Sequence, residues 1–427
     1  PAWAKKTGEV CDMVQVPASL CRQTTILEAA AKTNLPIIAS TLIDGGNYKI
    51  HNVPEISDVL TMLKLIKQLG GNYDFQNNKL EIDTENINSF EAPYELVKTM
   101  RASVLVWGSL LSRFNRAKIS FPGGCAIGDR PVDQHIKSFE SLGYETEINQ
   151  GYLETKKKGV SGGIFNFDFK SVTGTENAIL ASIKADRETI LKNCAQEPEV
   201  FDLIDFLNSL GANIKIYKDE ITIKPTTSLK QKEKLYSVIP DRIETGTFLI
   251  LGLIPGNRIK INKTNPSHLE EPLKILKGMG AKIIVEKDTI ELSNNGDLKP
   301  FDIKTDPYPG FPTDLQAQFM ISAILANGSS TIEETVFPSR FIHVAELRKL
   351  GAEIRVKEAK AHITGKTTMK GARIQASDLR ASASLVLGAI IAEGRSEISR
   401  IYHLDRGYEK IDDKLTKLGV PNWREKE

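Results

Sequence analysis

A phrase that recurs six times constrains this chain more than any other feature. A short amphipathic helix closes in Leu-Gly or Met-Gly, and an alternating strand follows. The closures are Leu69-Gly70, Leu142-Gly143, Leu210-Gly211, Met279-Gly280, Leu350-Gly351 and Leu418-Gly419. From Leu60 to Leu69, Phe201 to Leu210 and Leu273 to Met279, apolar residues return every three or four positions, which traces one helical face. The Gly stands at C′, where the backbone turns left-handed and a Cβ is penalised. Strand patterns follow from Asn213 to Tyr217, Lys282 to Val285 and Glu353 to Val356. Charged hairpins at Lys218-Asp-Glu220 and Glu286-Lys-Asp288 lead into return strands at Ile221-Thr-Ile223 and Thr289-Ile-Glu-Leu292.

Successive closures lie about 70 residues apart, too long for a solenoid repeat and right for a βαβαββ module. Each module also carries a second, Ala/Ser-rich helix ending in Gly, as from Leu315 to Gly328 and from Leu379 to Gly394. These are apolar nearly all round, so they are expected to be buried. A chain of 427 residues is too long for one core. Three modules per domain, twice over, account for almost all of it. The sixth module runs out at Glu427 soon after its Leu-Gly, so the N-terminal residues are expected to supply its closing strands. The expected domains are 32–239 and, discontinuously, 1–31 plus 240–427, with the crossover near Pro240 after the Lys-rich stretch 230–234.

Charge is nearly balanced, 56 basic against 54 acidic residues, so the total points to neither a nucleic-acid nor a membrane partner. Any anion must be held by local clustering of Arg and Lys. The first residues lack a signal-peptide core, and the most apolar run, Phe248 to Ile254, is far short of a membrane span. A cytoplasmic location follows as the expectation. Cys11, Cys21, Cys125 and Cys194 show no paired spacing, and the six histidines show no zinc-type spacing. Free thiols, no metal and no cofactor are expected.

Phe121-Pro-Gly-Gly-Cys-Ala-Ile-Gly-Asp-Arg-Pro131 sets three glycines around one thiol, with Asp129-Arg130 beside it. A lone Cys is most often a small buried hydrophobe. Glycine neighbours fit that poorly, and a Cys beside an Arg on a flexible loop is a candidate reactive thiol or proton donor. This segment, with Arg130-Pro-Val-Asp133, resembles the active-site loop of UDP-N-acetylglucosamine enolpyruvyl transferases. The likeness extends through Leu96-Val-Lys-Thr-Met-Arg-Ala-Ser103, Ile239-Pro-Asp-Arg-Ile-Glu-Thr-Gly-Thr-Phe248, Gly310-Phe-Pro-Thr-Asp-Leu-Gln-Ala-Gln-Phe319, Ser377-Asp-Leu-Arg-Ala-Ser-Ala-Ser384 and Ile401-Tyr-His-Leu-Asp-Arg-Gly-Tyr408. It implies an inside-out α/β barrel of two domains, each of three βαβαββ units, with the active site in the cleft between them.

The resemblance also implies roles. Cys125 would protonate the methylene carbon of phosphoenolpyruvate or form an adduct, and would be the residue alkylated by fosfomycin. Asp314 would take the proton of the sugar 3′-hydroxyl or orient it. Arg130, Arg340, Arg380 and Arg406 would surround phosphoenolpyruvate, with Arg101 supporting the anionic site. Asp133 and the segment Ser171-Val172 would contact the uridine and diphosphate, and Pro131, Val132, Val336 and Asp378 also fall among the substrate-binding positions. Phosphoenolpyruvate and UDP-N-acetylglucosamine would be the partners, in the first committed step of peptidoglycan synthesis.

By residue type alone, Asp314 and Asp378 each open an Ala-rich helix and could serve as N-caps or first-turn dipole partners. Arg101, Arg340 and Arg380 alone would read as surface or salt-bridge residues. One segment departs from the family pattern. Where the family carries Gly-Ala-Lys-Asn before Leu-Pro, this chain has Glu28-Ala-Ala-Ala-Lys-Thr-Asn-Leu-Pro36, which splits the phosphoenolpyruvate-binding Lys32 from the sugar-binding Asn34. Gln134 replaces an apolar residue and Thr173 a Gly. The rival readings are the sister transferase acting on shikimate 3-phosphate, which lacks the Pro-Gly-Gly-Cys loop, and a catalytically weakened homologue that binds the nucleotide sugar.

Overall fold

The computed structural model describes residues 14–15, 26–28, 34–97, 100–121, 132–229, 235–294 and 296–425. Six four-stranded sheets share one plan. Asp302–Lys304 runs parallel to Ser329–Glu333, which is antiparallel to Lys360–Thr364, itself paired antiparallel with Ile354–Lys357. Glu91–Ala92 and Gly163–Asn166 begin two further sheets of this kind. Along the chain each module reads strand, inner helix, strand, outer helix, hairpin, which is the βαβαββ unit.

The remaining three sheets borrow a strand from elsewhere in the chain. Tyr236–Ser237 lies parallel to Asn47–His51, and Ile26–Glu28 lies parallel to Arg258–Asn262. Val14–Gln15 pairs antiparallel with both Ser396–Ser399 and Asn422–Trp423. Of the two strands expected from the N-terminus for the sixth module, one comes from there. The other, Asn422–Trp423, follows the Gly419 turn as in every other module. Pairing these short strands satisfies edges that a sheet would otherwise leave open.

The described residues divide into two compact units, 34–239 and 240–425 with the strands 14–15 and 26–28, each with its own hydrophobic core. In each unit three inner helices are buried and the sheets cover them. They are Leu35–Ser40, Val106–Phe114 and Val172–Ser182 in the first, and Arg242–Leu249, Gln316–Leu325 and Leu379–Ile391 in the second. From Arg380 to Ile390 every residue is buried, as the unbroken apolar pattern requires. Close approach of Val106–Phe114 to Val172–Ser182 needs Gly108, where a Cβ would stand 2.3 Å from the Asn177 carbonyl oxygen. Strands such as Lys360–Thr364 alternate buried and exposed positions, so one sheet face meets the helices and the other meets water. No helix among the described residues is long and apolar enough to cross a membrane.

All six closing glycines are left-handed, with φ between +83° at Gly419 and +109° at Gly70. At Gly143 a Cβ would also lie 2.6 Å from the Val160 carbonyl oxygen. Gly143→Ala is therefore expected to cost about 1–3 kcal/mol, read as a fall in Tm. Gly278→Ala, which meets nothing within 4 Å at a helical position, should be neutral or slightly stabilising. Equal Tm shifts for the two variants would contradict a conformational role for the closures.

Candidate active site

In the 240–425 unit the starts of two inner helices carry a tight set of charges. Asp314 lies in the 3-10 turn Thr313–Leu315, directly ahead of the helix Gln316–Leu325. That turn moves the helix N-cap to Leu315, and no side chain caps it. The Asp314 carboxylate instead meets two arginines: Oδ1 is 2.8 Å from Arg340 Nη1, and Oδ2 is 3.1 Å from Arg380 Nη2. Both arginine side chains are 7% exposed, whereas that of Asp314 is 39% exposed. A carboxylate that reaches solvent is thus fixed from beneath by two buried cations. Buried guanidiniums need such a counter-charge, because leaving one unpaired is strongly unfavourable.

Each arginine has its own support. Arg340 Nη1 donates to Thr313 Oγ1 at 3.0 Å, and the Thr313 hydroxyl donates to Glu334 Oε2 at 2.8 Å. Glu334 is fully buried, and its Oε1 accepts from the Thr305 hydroxyl and from the backbone N–H groups of Val336 and Phe337, all within 2.9 Å. Four donors satisfy that charge and fix the loop that carries Val336 and Arg340. Arg380 is the second residue of Leu379–Ile391. Burial alone would lower its pKa, but Asp314, Tyr408 and Asp241 outweigh that and hold it above its ordinary value. The guanidinium stays charged.

Asp378 is the N-cap of that helix, with Oδ1 accepting from the N–H groups of Arg380 and Ala381, both at 3.0 Å. Capping therefore describes Asp378, while Asp314 spends its oxygens on arginines. His343 is buried beside this set. Desolvation first, then Arg340, lower its pKa to about 4 against the opposing pull of Asp378. Its ring is neutral at neutral pH. Arg406 lies half-buried two residues before Tyr408.

In the 34–239 unit, Val132 is buried at the N-cap of Asp133–Ser141, and Asp133 is the first residue of that helix. Gln134 is buried and bridges two carboxylates, with Nε2 donating to Asp168 Oδ2 at 2.9 Å and to Asp133 Oδ2 at 3.1 Å. Its Oε1 accepts from the Asp168 N–H at 3.0 Å. Ser171 caps Val172–Ser182 by accepting from the Gly174 N–H at 3.2 Å, with Val172 the first residue of that helix. A helix start of this kind suits an anionic group. Asn34 is fully buried at the start of Leu35–Ser40, and neither of its amide atoms has a partner among the described residues. A buried, unpaired amide is costly and asks for a ligand or water.

Lys32, Cys125, Arg130 and Pro131 lie outside the described residues, as does the side chain of Arg101, whose backbone opens the 3-10 helix Arg101–Leu105. Cys194 is buried, and burial first, then Asp219, push its thiol up to about 12. Among the described residues no group of three His, Cys, Asp or Glu could hold a metal ion. Sequence reasoning assigned nothing to Glu334, Thr313, Thr247, Gln318 or Tyr408. For Glu334 the one signal was the alternation of Ser329–Glu333, which carried one step further places residue 334 inward.

The family model described as EPSP synthase (3-phosphoshikimate 1-carboxyvinyltransferase) matches residues 17–415. The chain is 45% identical over 398 residues to the UDP-N-acetylglucosamine 1-carboxyvinyltransferase of Desulfosudis oleivorans, covering 93% of this chain and 95% of that protein. It is 46% identical over 402 residues to UDP-N-acetylglucosamine 1-carboxyvinyltransferase 1 of Caldanaerobacter subterraneus subsp. tengcongensis, covering 94% and 96%. Among solved structures it resembles the enolpyruvyl transferase NikO from Streptomyces tendae, with a TM-score of 0.86, 21% identity, and 96% and 98% of the two chains covered. EPSP synthase from Acinetobacter baumannii matches with a TM-score of 0.74 at 15% identity, covering 97% and 100%. At those identities the solved structures speak for the fold alone.

Proposed function

This chain belongs to the UDP-N-acetylglucosamine 1-carboxyvinyltransferase branch of the EPSP synthase family, and we propose that it transfers the enolpyruvyl group of phosphoenolpyruvate to the 3′-hydroxyl of UDP-N-acetylglucosamine, releasing phosphate. The observation that carries this reading is the solvent-reaching carboxylate of Asp314, fixed by two buried guanidiniums.

The reaction is an addition followed by an elimination. The 3′-oxygen attacks C2 of phosphoenolpyruvate while C3 gains a proton and becomes a methyl group. The tetrahedral adduct then loses phosphate from C2 and a proton from C3, which restores the double bond. An acid must stand on one side of the double bond and a base at the hydroxyl. Cys125 supplies the acid, or a covalent adduct that precedes it, and Asp314 accepts or orients the hydroxyl proton. Planar guanidinium forks match carboxylate and phosphate oxygens in pairs, which suits Arg340 and Arg380 to the donor, with Arg130, Arg406, Arg101 and Lys32 completing the cationic set. Asn34 holds the sugar, which answers its unpaired amide. Asp133, Ser171 and Val172 receive the uridine and diphosphate, and Pro131, Val132, Val336 and Asp378 are further substrate-binding positions.

Domain bounds of 32–239 and 1–31 plus 240–427 belong to the same reading. The enzyme works in the cytoplasm on small molecules alone, without cofactor, nucleic acid or membrane, at the first committed step of peptidoglycan synthesis. Phosphate release from phosphoenolpyruvate tests the choice of acceptor. Release with UDP-N-acetylglucosamine and none with shikimate 3-phosphate is expected. The reverse pattern would move the chain to the sister activity, and sugar-nucleotide binding without release would mark a weakened homologue.

A further inference from the structure

Behind Arg380 lies a buried polar knot that the reaction as written does not use. Tyr408 is 1% exposed, and its hydroxyl stands 2.9 Å from Thr247 Oγ1, 3.2 Å from Gln318 Nε2 and 3.4 Å from Arg380 Nη1. Hydrogen inventory sets the direction of every bond. The Thr247 hydroxyl donates to the Ile243 carbonyl at 2.8 Å, so its oxygen is left to accept. Gln318 Nε2 gives one proton to Thr247 at 3.1 Å and one to Tyr408. Arg380 can only donate. The Tyr408 proton therefore goes to Thr247, and its oxygen accepts from both Gln318 and Arg380.

This knot joins all three inner helices of the 240–425 unit, through Thr247 of Arg242–Leu249, Gln318 of Gln316–Leu325 and Arg380 of Leu379–Ile391. Among the described residues Arg380 Nε is buried without a partner. Two polar contacts hold its guanidinium, Tyr408 through Nη1 and Asp314 through Nη2, and its carbon also lies 5.7 Å from the centre of the Tyr408 ring, a contact that a phenylalanine would keep. A planar fork with one arm fixed from behind has little freedom in the other. Burial keeps the phenol protonated by raising its pKa, against the opposing effect of Arg380. Tyr408 therefore serves as a neutral acceptor, with no charge to compete with Asp314.

We propose that Tyr408 is a positioning residue, which sets the angle of Arg380 and through it the carboxylate of Asp314, with Thr247 fixing the phenol in turn. This rests on the reading of Asp314 as the group at the acceptor hydroxyl. Tyr408→Phe, which removes one oxygen, is expected to lower kcat for phosphate release about ten- to thirtyfold, with UDP-N-acetylglucosamine affinity changed by less than about threefold. At position 247 hydrogen bonding and packing predict opposite orders. Thr247→Ser keeps the hydroxyl and should stay near the parent kcat, while the nearly isosteric Thr247→Val should resemble Tyr408→Phe. A kcat for Tyr408→Phe equal to the parent's, or Val above Ser at position 247, overturns the proposal. Crystal structures of Tyr408→Phe and Thr247→Val read the same point without turnover. Arg380 Nη2 is expected to leave Asp314, and a pair still at 3.1 Å in both would refute the positioning role even if neither acceptor is a substrate.

Discussion

Asp314→Asn is expected to lower kcat by about 10²–10⁴-fold while leaving UDP-N-acetylglucosamine binding within a few-fold of the parent. Asn has nearly the same shape and keeps one acceptor oxygen, but it carries no charge and is a far weaker base. The structure separates the two readings that residue type leaves open. Leu315, not Asp314, occupies the N-cap position of Gln316–Leu325, so loss of activity cannot be traced to a lost cap. The same substitution leaves the buried Arg340 and Arg380 without a shared counter-charge. A fully buried broken pair costs about 3–5 kcal/mol, but Asp314 is 39% exposed, so solvent screening reduces the expected loss to about 1–2 kcal/mol. Calorimetric titration with the nucleotide sugar, beside steady-state kinetics, separates the effects. Turnover within a few-fold of the parent would remove Asp314 from the chemistry.

Fosfomycin is expected to abolish activity by adding one label, at Cys125. The prediction concerns the selectivity of thiolates. A thiol pushed up to about 12, as burial does at Cys194, is ionised in about one molecule in 10⁵ at pH 7 and is shielded from reagent as well. In the sequence Cys125 has glycines as neighbours and precedes Arg130 by five positions, and a thiol that comes close to a cation is favoured as the thiolate. Intact mass followed by peptide mapping reads the outcome. A label on Cys11, Cys21 or Cys194 with Cys125 unmodified would contradict the assignment.

Much of the fold was legible because it repeats. Each Leu-Gly or Met-Gly closure predicted a left-handed turn, and Gly70, Gly143, Gly211, Gly280, Gly351 and Gly419 all adopt one. The strand from Asn213 to Tyr217 and its return partner were visible in alternation alone. The borrowed strands were not. Val14–Gln15 and Tyr236–Ser237 are two residues long, too short for any period, and their partners lie far away in sequence.

The site was legible unevenly. Asp314, Arg340 and Arg380 are separated by 26 and 40 positions, and no periodicity links them; only resemblance to a family brought them together in advance. Asp378 and Asp314 looked alike because both open Ala-rich helices, and a single 3-10 turn makes the difference. Glu334 and Tyr408 were overlooked for a shared reason. A buried Glu with four donors and a buried Tyr with three polar neighbours read, in sequence, as a loop carboxylate and a core aromatic. Their roles exist only where distant segments meet.

Turnover in D₂O followed by NMR of the nucleotide-sugar product tests the addition–elimination reading most directly. A methylene that passes through a methyl group must exchange hydrogen with solvent. The expected product is UDP-N-acetylglucosamine bearing an enol ether at its 3′-oxygen, deuterium in the vinyl methylene, and one phosphate released per transfer. Phosphate released with an unmodified sugar, or an enol ether whose methylene carries no deuterium, would contradict it.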